Sequence, residues 1–191
     1  MNKLNVLLID SDFNNTGLES SLKEAGFNVL KALYNATFLA LIKEITPDVI
    51  IFNIVSPSAQ MLADLFTLSR QSALPVIMFS TDATPDRIQQ VIKADVAAYI
   101  VDGLDLYRLT SIITVAIARF KQQQVLKNAL EDAMVKLEDR KQIDRAKVIL
   151  IKTQHFTEDE AYHTLRKLAM DRHITLGEMA KNVIAMAELL K

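Results

Sequence analysis

Val49-Ile50-Ile51-Phe52-Asn53, entered directly from Pro47-Asp48, sets four consecutive apolar side chains in front of a carboxamide. A strand with one wet face alternates apolar and polar residues, whereas an unbroken short run suits a strand covered on both faces, as in a parallel sheet. Four more runs share that character, at residues 4–10, 27–31, 76–80 and 98–101. Amphipathic stretches separate them, and each has its punctuation: 18–25 closes at Gly26, 37–45 ends before Thr46-Pro47, 59–70 follows Ser56-Pro57-Ser58, and 86–93 follows Thr84-Pro85. Five such βα repeats predict an α/β fold, a doubly wound five-stranded parallel sheet whose ligand crevice lies at the carboxyl ends of the strands. Asp10, Asn53, Ser80 and Asp102 should meet there.

The chain of 191 residues has room for one core of about 120 residues and a small appended unit. Half of the residues are hydrophobic and Gly and Pro are few, which argues against disorder, while no apolar stretch approaches the ~20 residues of a bilayer span. Met1-Asn2-Lys3 leads into the first strand without a signal-peptide pattern, and the absence of cysteine rules out a disulfide framework, so a cytoplasmic protein without a membrane partner is expected. A formal net charge of -1 gives no global attraction to nucleic acid. From Leu126 onward twelve cations face eleven acids, so any basic surface must be a local stripe.

After the fifth strand a helix is expected from near Asp105, and no Pro or Gly interrupts the sequence between Leu104 and Gly177. Thr153-Gln154-His155-Phe156 reads as its end. Leu126, Leu130, Ala133 and Leu137 recur at intervals of four, three and four, the seam of a long coiled-coil helix, so a homodimer is expected. The next seam positions fall on Arg140 and Asp144 while apolar residues resume at Ile143, Ala146 and Ile149-Leu150, which breaks the register where basic residues cluster. Thr157-Glu158-Asp159-Glu160 and Thr175-Leu176-Gly177-Glu178 are capping-box patterns that start two further helices. Their apolar faces should pack on residues 148–151 as a three-helix cluster.

Arg140-Lys141, Ile143, Arg145-Ala146-Lys147, Glu160-Ala161-Tyr162, Leu165-Arg166 and Ala169-Met170 carry, in their joint spacing, a resemblance to the ANTAR module of transcription antitermination regulators. That resemblance implies an RNA-binding module at 126–187, with nascent leader hairpins as the RNA; the leucine spacing makes 120–139 a coiled-coil linker, and 4–119 is left as the first domain, receiver-like by the phrases quoted next. Arg140, Lys141, Arg145, Lys147, Arg166 and Lys167 would hold phosphates, and Tyr162 would stack on an unpaired base. The plain alternative is a solvated helix face on which these cations pair with Glu138, Asp139 and Asp144, with Tyr162 packed in the helical core.

Val6-Leu7-Leu8-Ile9-Asp10, Pro47-Asp48-Val49-Ile50-Ile51 and Pro75-Val76-Ile77-Met78 resemble two-component receiver domains of flavodoxin-like fold. In that family an acidic pair after the first strand and an aspartate ending the third hold Mg²⁺, and the latter is phosphorylated. Here Asp10 and Ser80 match, but the second acid is Ser11, the acceptor position is Asn53, and the lysine ending the fifth strand is Asp102. A carboxamide is no nucleophile toward a phosphoryl donor, and lost carboxylates weaken a hard-cation site, so a degenerate receiver without enzymatic activity or cofactor is expected. Asp12 could replace the missing acid, which leaves weak Mg²⁺ binding at Asp10 and Asp12 open beside simple loop capping. The phrase Ala98-Tyr99-Ile100-Val101-Asp102-Gly103-Leu104, with Ala116-Ile117-Ala118-Arg119-Phe120, resembles the nitrate/nitrite-responsive branch of antiterminators. That branch implies gating by a nitrate-sensing partner protein.

Other chemistry has little support. His155, His163 and His173 lack metal-ligand spacing, the four glycines form no phosphate loop, and Met170, Met179 and Met186 read as core filler. Two further readings stay open: a DNA-binding response regulator using residues 157–171 and 176–190 as a helix-turn-helix, and a signalling scaffold that binds only proteins. The candidate recognition helix, Leu176-Gly177-Glu178-Met179-Ala180-Lys181-Asn182, has no Arg and few base-edge readers.

Overall fold

The structure is a computed structural model that describes residues 3–12, 14, 16–102 and 108–189. It divides into two compact units, one through Gln124 and the other from Val125. The expected helix start near Asp105, and Gly103, lie outside the described residues.

In the first unit β1 (Asn5–Asp10), β2 (Asn28–Ala32), β3 (Val49–Ile54), β4 (Val76–Ser80) and β5 (Ala98–Val101) form one parallel sheet in the order β2-β1-β3-β4-β5. The order reverses beside β1, and the register sets Asp10 opposite Asn53 and Ile54 opposite Ser80, so the strand ends converge on one rim. That is the expected doubly wound sheet. Helices α1 (Gly17–Glu24), α2 (Phe38–Ile45), α3 (Ala59–Gln71) and α4 (Pro85–Lys93) connect the strands.

Alternate side chains of each strand feed two separate cores. Leu7, Ile9, Ile50, Phe52 and Met78 pack with Phe38, Leu65 and Val91 of α2, α3 and α4. Val6, Leu8, Val49, Ile51, Ile77 and Phe79 pack on the opposite face with Leu18 and Leu22 of α1 and with Leu109, Ile113 and Ala116 at the start of the next helix. Gly26 ends α1 in the left-handed region at φ 91°, and its N–H donates to Lys23 while that of Phe27 donates to Leu22, a Schellman closure that glycine makes without strain.

Helix α5 (Leu109–Gln154) runs unbroken for 46 residues to the stop expected at Thr153-Gln154-His155-Phe156. In the second unit α6 (Glu158–Asp171) and α7 (Leu176–Leu189) follow. Both capping boxes form: the Thr157 hydroxyl accepts from Glu160 N while Glu160 Oε2 accepts from Thr157 N at 2.8 Å, and Thr175 and Glu178 repeat the exchange. Helix α6 closes as a Schellman motif on His173, at φ 54°, with the N–H of Ile174 donating to Ala169.

The core of this unit is Ala146, Leu165, Ala169, Met179, Ala180 and Ile184, flanked by Ile143, Ile149 and Leu150. The face of α5 that receives the other helices therefore begins a turn earlier than residues 148–151, and Val148 is 49% exposed. The reason is periodicity: 143, 146, 149 and 150 share one stripe of a 3.6-residue helix, and 148 lies off it. Of the methionines expected as core filler only Met179 is buried, whereas Met170 and Met186 are exposed.

Candidate functional site

The rim of the sheet gathers Asp10, Asn53 and Ser80 as the strand order requires, but their side chains are committed elsewhere. Asp10 is buried, and its Oδ1 accepts from Asn53 Nδ2 and from Asp12 N, each at 3.2 Å. Asp10 Oδ2 is buried with no hydrogen-bond partner among the described residues, and the charge facing it is Lys31 Nζ at 3.6 Å. That ammonium also donates to Asp12 O at 3.2 Å. Ser80 Oγ donates to Val55 O at 2.7 Å and accepts from Asp82 N, so it braces two loops instead of facing Asn53. Ser11 is exposed and bonds through its backbone N–H to Asn53 O. Asp102 is exposed at φ 46°, with its N–H on Ser80 O.

The Mg²⁺ implied by the receiver resemblance does not fit this donor set. One carboxylate is buried at the site, its Oδ1 already accepts two N–H groups, and an ammonium stands beside its Oδ2. Asp12 turns its Oδ1 onto Asn14 N at 2.9 Å, an Asx turn, and not toward Asp10. Among the described residues no group of three or more His, Cys, Asp or Glu side chains is arranged to hold a metal.

Lys31 was not among the residues expected at the rim. It lies opposite Leu8 in the β1–β2 register. Leu8 and Asp10 share one face of β1, so the lysine stem runs one pleat along that face to the carboxylate. A lysine within the second apolar run was the available signal, but only the register gives it a target.

A second network crosses the loops after β3 and β4. Asp82 accepts from Ser56 Oγ at 2.6 Å and from Thr84 Oγ1 at 2.7 Å, lies 3.5 Å from Arg87, and gives its backbone carbonyl to the Tyr99 hydroxyl. The two hydroxyls, then the Thr84 N–H and Arg87, hold its carboxyl well below the usual carboxylate range.

In the second unit Arg140, Lys141 and Arg145 are exposed on α5, with Lys141 and Arg145 one turn apart, and Arg166 and Lys167 are exposed on α6. None of these five makes an ion pair within 4.0 Å among the described residues. Lys147 differs from these five: its ammonium is 2.9 Å from both Asp144 Oδ1 and Glu158 Oε1, and its side chain is only 17% exposed. These two carboxylates raise the Lys147 pKa, Asp144 first, and Lys147 in turn lowers that of Asp144. The pairing joins α5 to the start of α6. Tyr162 is 39% exposed, beside Ala161, which is fully buried. Its ring packs edge-on to His163 at 6.2 Å, outside the core that could have claimed it.

Leu126, Leu130, Ala133 and Leu137 are all exposed along α5, with Leu130 at 61%. Val148, Leu168 and Met186 line an open apolar groove of about 1000 Å³ within the second unit, with Arg145, Lys152 and Arg172 also lining it. Among the described residues no helix is long and apolar enough to cross a membrane.

Residues 131–184 match the ANTAR domain. Across 168 residues the chain is 23% identical to the transcriptional regulatory protein PdtaR of Mycobacterium tuberculosis, covering 87% of this chain and 82% of that protein. The first unit superposes on a CheY-like response regulator receiver domain protein from Methanospirillum hungatei with a TM-score of 0.55 at 18% identity, covering 64% of this chain and 99% of that one. A response regulator from Thermotoga maritima gives 0.54 at 18% identity, over 61% and 99%. The chain thus combines a CheY-like receiver fold with a segment, residues 131–184, that matches the ANTAR domain.

Proposed function

We propose that this chain is a non-enzymatic, RNA-binding transcription antitermination regulator, acting as a homodimer on nascent leader hairpins in the control of nitrate or nitrite assimilation. A nitrate-sensing partner protein, and not phosphorylation, gates it. The observation that carries the reading is the set of exposed cations Arg140, Lys141, Arg145, Arg166 and Lys167, none in an ion pair within 4.0 Å among the described residues, with exposed Tyr162, inside one ANTAR-matched segment. Cations without internal partners remain available to phosphates, and an exposed ring to an unstacked base.

Gating by a partner is supported by Asn53 at the acceptor position, which offers no carboxylate to a phosphodonor. Dimerisation is supported by the leucine seam at 126, 130 and 137, an apolar stripe that the single chain leaves in water. A DNA helix-turn-helix is disfavoured at the N-terminus of α7, where base edges and phosphates would be met. Glu178 stands in its first turn and the Asp139 carboxylate crowds Gly177, so the approach is acidic.

The test is titration of leader RNA and of duplex DNA with the full chain over a salt series. Tight, salt-dependent binding of hairpin RNA with weak binding of duplex DNA is expected. Equal affinity for both, or none for either, removes the reading.

A further inference from the structure

We propose that Lys31 is a built-in cation that takes the place of the metal ion at the rim of the sheet, leaving the receiver unit independent of divalent cations. The inference stands on the geometry of the first unit and does not depend on the RNA reading. Lys31 has a side chain only 5% exposed and Asp10 one only 1% exposed, so this is an enclosed pair and not a surface contact. A buried carboxylate without compensation is strongly unfavourable, and Asp10 Oδ2 has no hydrogen-bond donor among the described residues. Its compensation is the ammonium at 3.6 Å, steadied by the Asp12 carbonyl.

That ammonium occupies the position of a hard cation in both charge and ligand type, beside one carboxylate oxygen and one backbone carbonyl oxygen. The positive charge attracts Glu19 as well: the carboxyl of Glu19 is held below its usual range, first by its hydrogen bond to Lys23 and to a smaller extent by Lys31. A divalent ion entering beside Asp10 would meet a like charge a few ångströms away. Asn53 completes the exclusion, because its Nδ2 turns a donor toward Asp10 Oδ1 where a metal ligand would present an oxygen lone pair. The cation of this crevice therefore comes from the end of β2, covalently attached, while the end of β5 carries the exposed acid Asp102.

The experiment is calorimetric titration of the full-length protein with Mn²⁺ and with Mg²⁺, in the wild type and in Asn53→Asp, Lys31→Met/Asn53→Asp and Lys31→Arg/Asn53→Asp, each checked by thermal melting. The wild type should show no saturable binding. Lys31→Met/Asn53→Asp should bind more tightly than Asn53→Asp alone by at least about tenfold, the effect of removing one adjacent unit charge, and its melting temperature should rise with added metal. Lys31→Arg/Asn53→Asp should bind no better than Asn53→Asp. Saturable wild-type binding, or equal affinity of Asn53→Asp and Lys31→Met/Asn53→Asp, overturns the proposal. Should the Met variant not fold, acylation of the wild-type lysines followed by peptide mapping decides. Slow modification of Lys31, unchanged between chelator and excess Mg²⁺, supports the built-in cation, and rapid or metal-dependent modification refutes it.

Discussion

The Asp139 carboxylate occupies the space in which a side chain on Gly177 would begin, so the first turn of α7 carries an acid from α5 against its backbone. A carboxylate there meets the positive end of the helix dipole, and Asp139 also lies 3.8 Å from Lys181 one turn on. Glycine leaves room for that neighbour and is not called for by its own backbone angles. Gly177→Ala should gain helix propensity of up to ~1 kcal/mol yet lose it in expelling Asp139. The same substitution in an Asp139→Ala background should be stabilising. Urea melts of the four-member cycle should give a coupling of about 1–2 kcal/mol, and additivity would show that the two residues do not share that space.

Lys147 and Arg145 should behave oppositely. Lys147 is held by Asp144 and Glu158, so Lys147→Ala should cost up to about 1 kcal/mol of stability and leave the salt dependence of RNA binding unchanged. Arg145→Ala should leave stability alone and reduce that slope by roughly 0.7 to 0.9, one phosphate contact. Paired melts and salt-series titrations check both halves. A reduced slope for Lys147→Ala would return it to the RNA face.

Tyr162→Ala tests the ring. Since Tyr162 lies outside the core, the variant should melt normally and lose about 1–3 kcal/mol of RNA affinity with no change in salt slope. A normally folded variant of full affinity would eliminate stacking.

Leu130→Lys should yield monomers by sedimentation and weaken a two-hairpin RNA more than a single hairpin, because linked modules gain effective concentration only when both sites are present. Equal losses on the two RNAs would end the bivalent description.

Acid should loosen the second unit through its caps. Backbone and hydroxyl donors of Thr157 and Thr175 hold the Glu160 and Glu178 carboxyls below their ordinary 4.5. Folded values depressed in this way contribute stability above about pH 4.5 that is lost as pH falls through them. Helical ellipticity should fall in that window, and Glu160→Gln/Glu178→Gln should flatten the fall. An unaltered acid transition would separate the caps from acid stability.

Most of the fold was legible because its signals are local. The apolar run of β3, the Gly26 closure, Pro85 at the start of α4 and both capping boxes are read within a few residues of where they act. What eluded the sequence depends on register or on a partner across the chain. Lys31 finds Asp10 only once β1 and β2 are aligned, and while the pairing of Lys147 with Asp144 follows from helix spacing, its second partner Glu158, eleven residues away, does not. Val148 was placed inside by composition, and the phase of the stripe through Ile143 and Ala146 puts it outside.

The paired capping boxes and the left-handed stops at His155 and His173 also bear on how fast the second unit assembles. Each helix boundary is written beside itself, and α6 and α7, separated by a short turn, pack on each other. Such short loop closures favour rapid folding, while the first unit must bring β1 to β3 across more than thirty intervening residues before its sheet can form. The second unit should reach its native form first after release from denaturant, and stopped-flow refolding would show it as the faster of two phases.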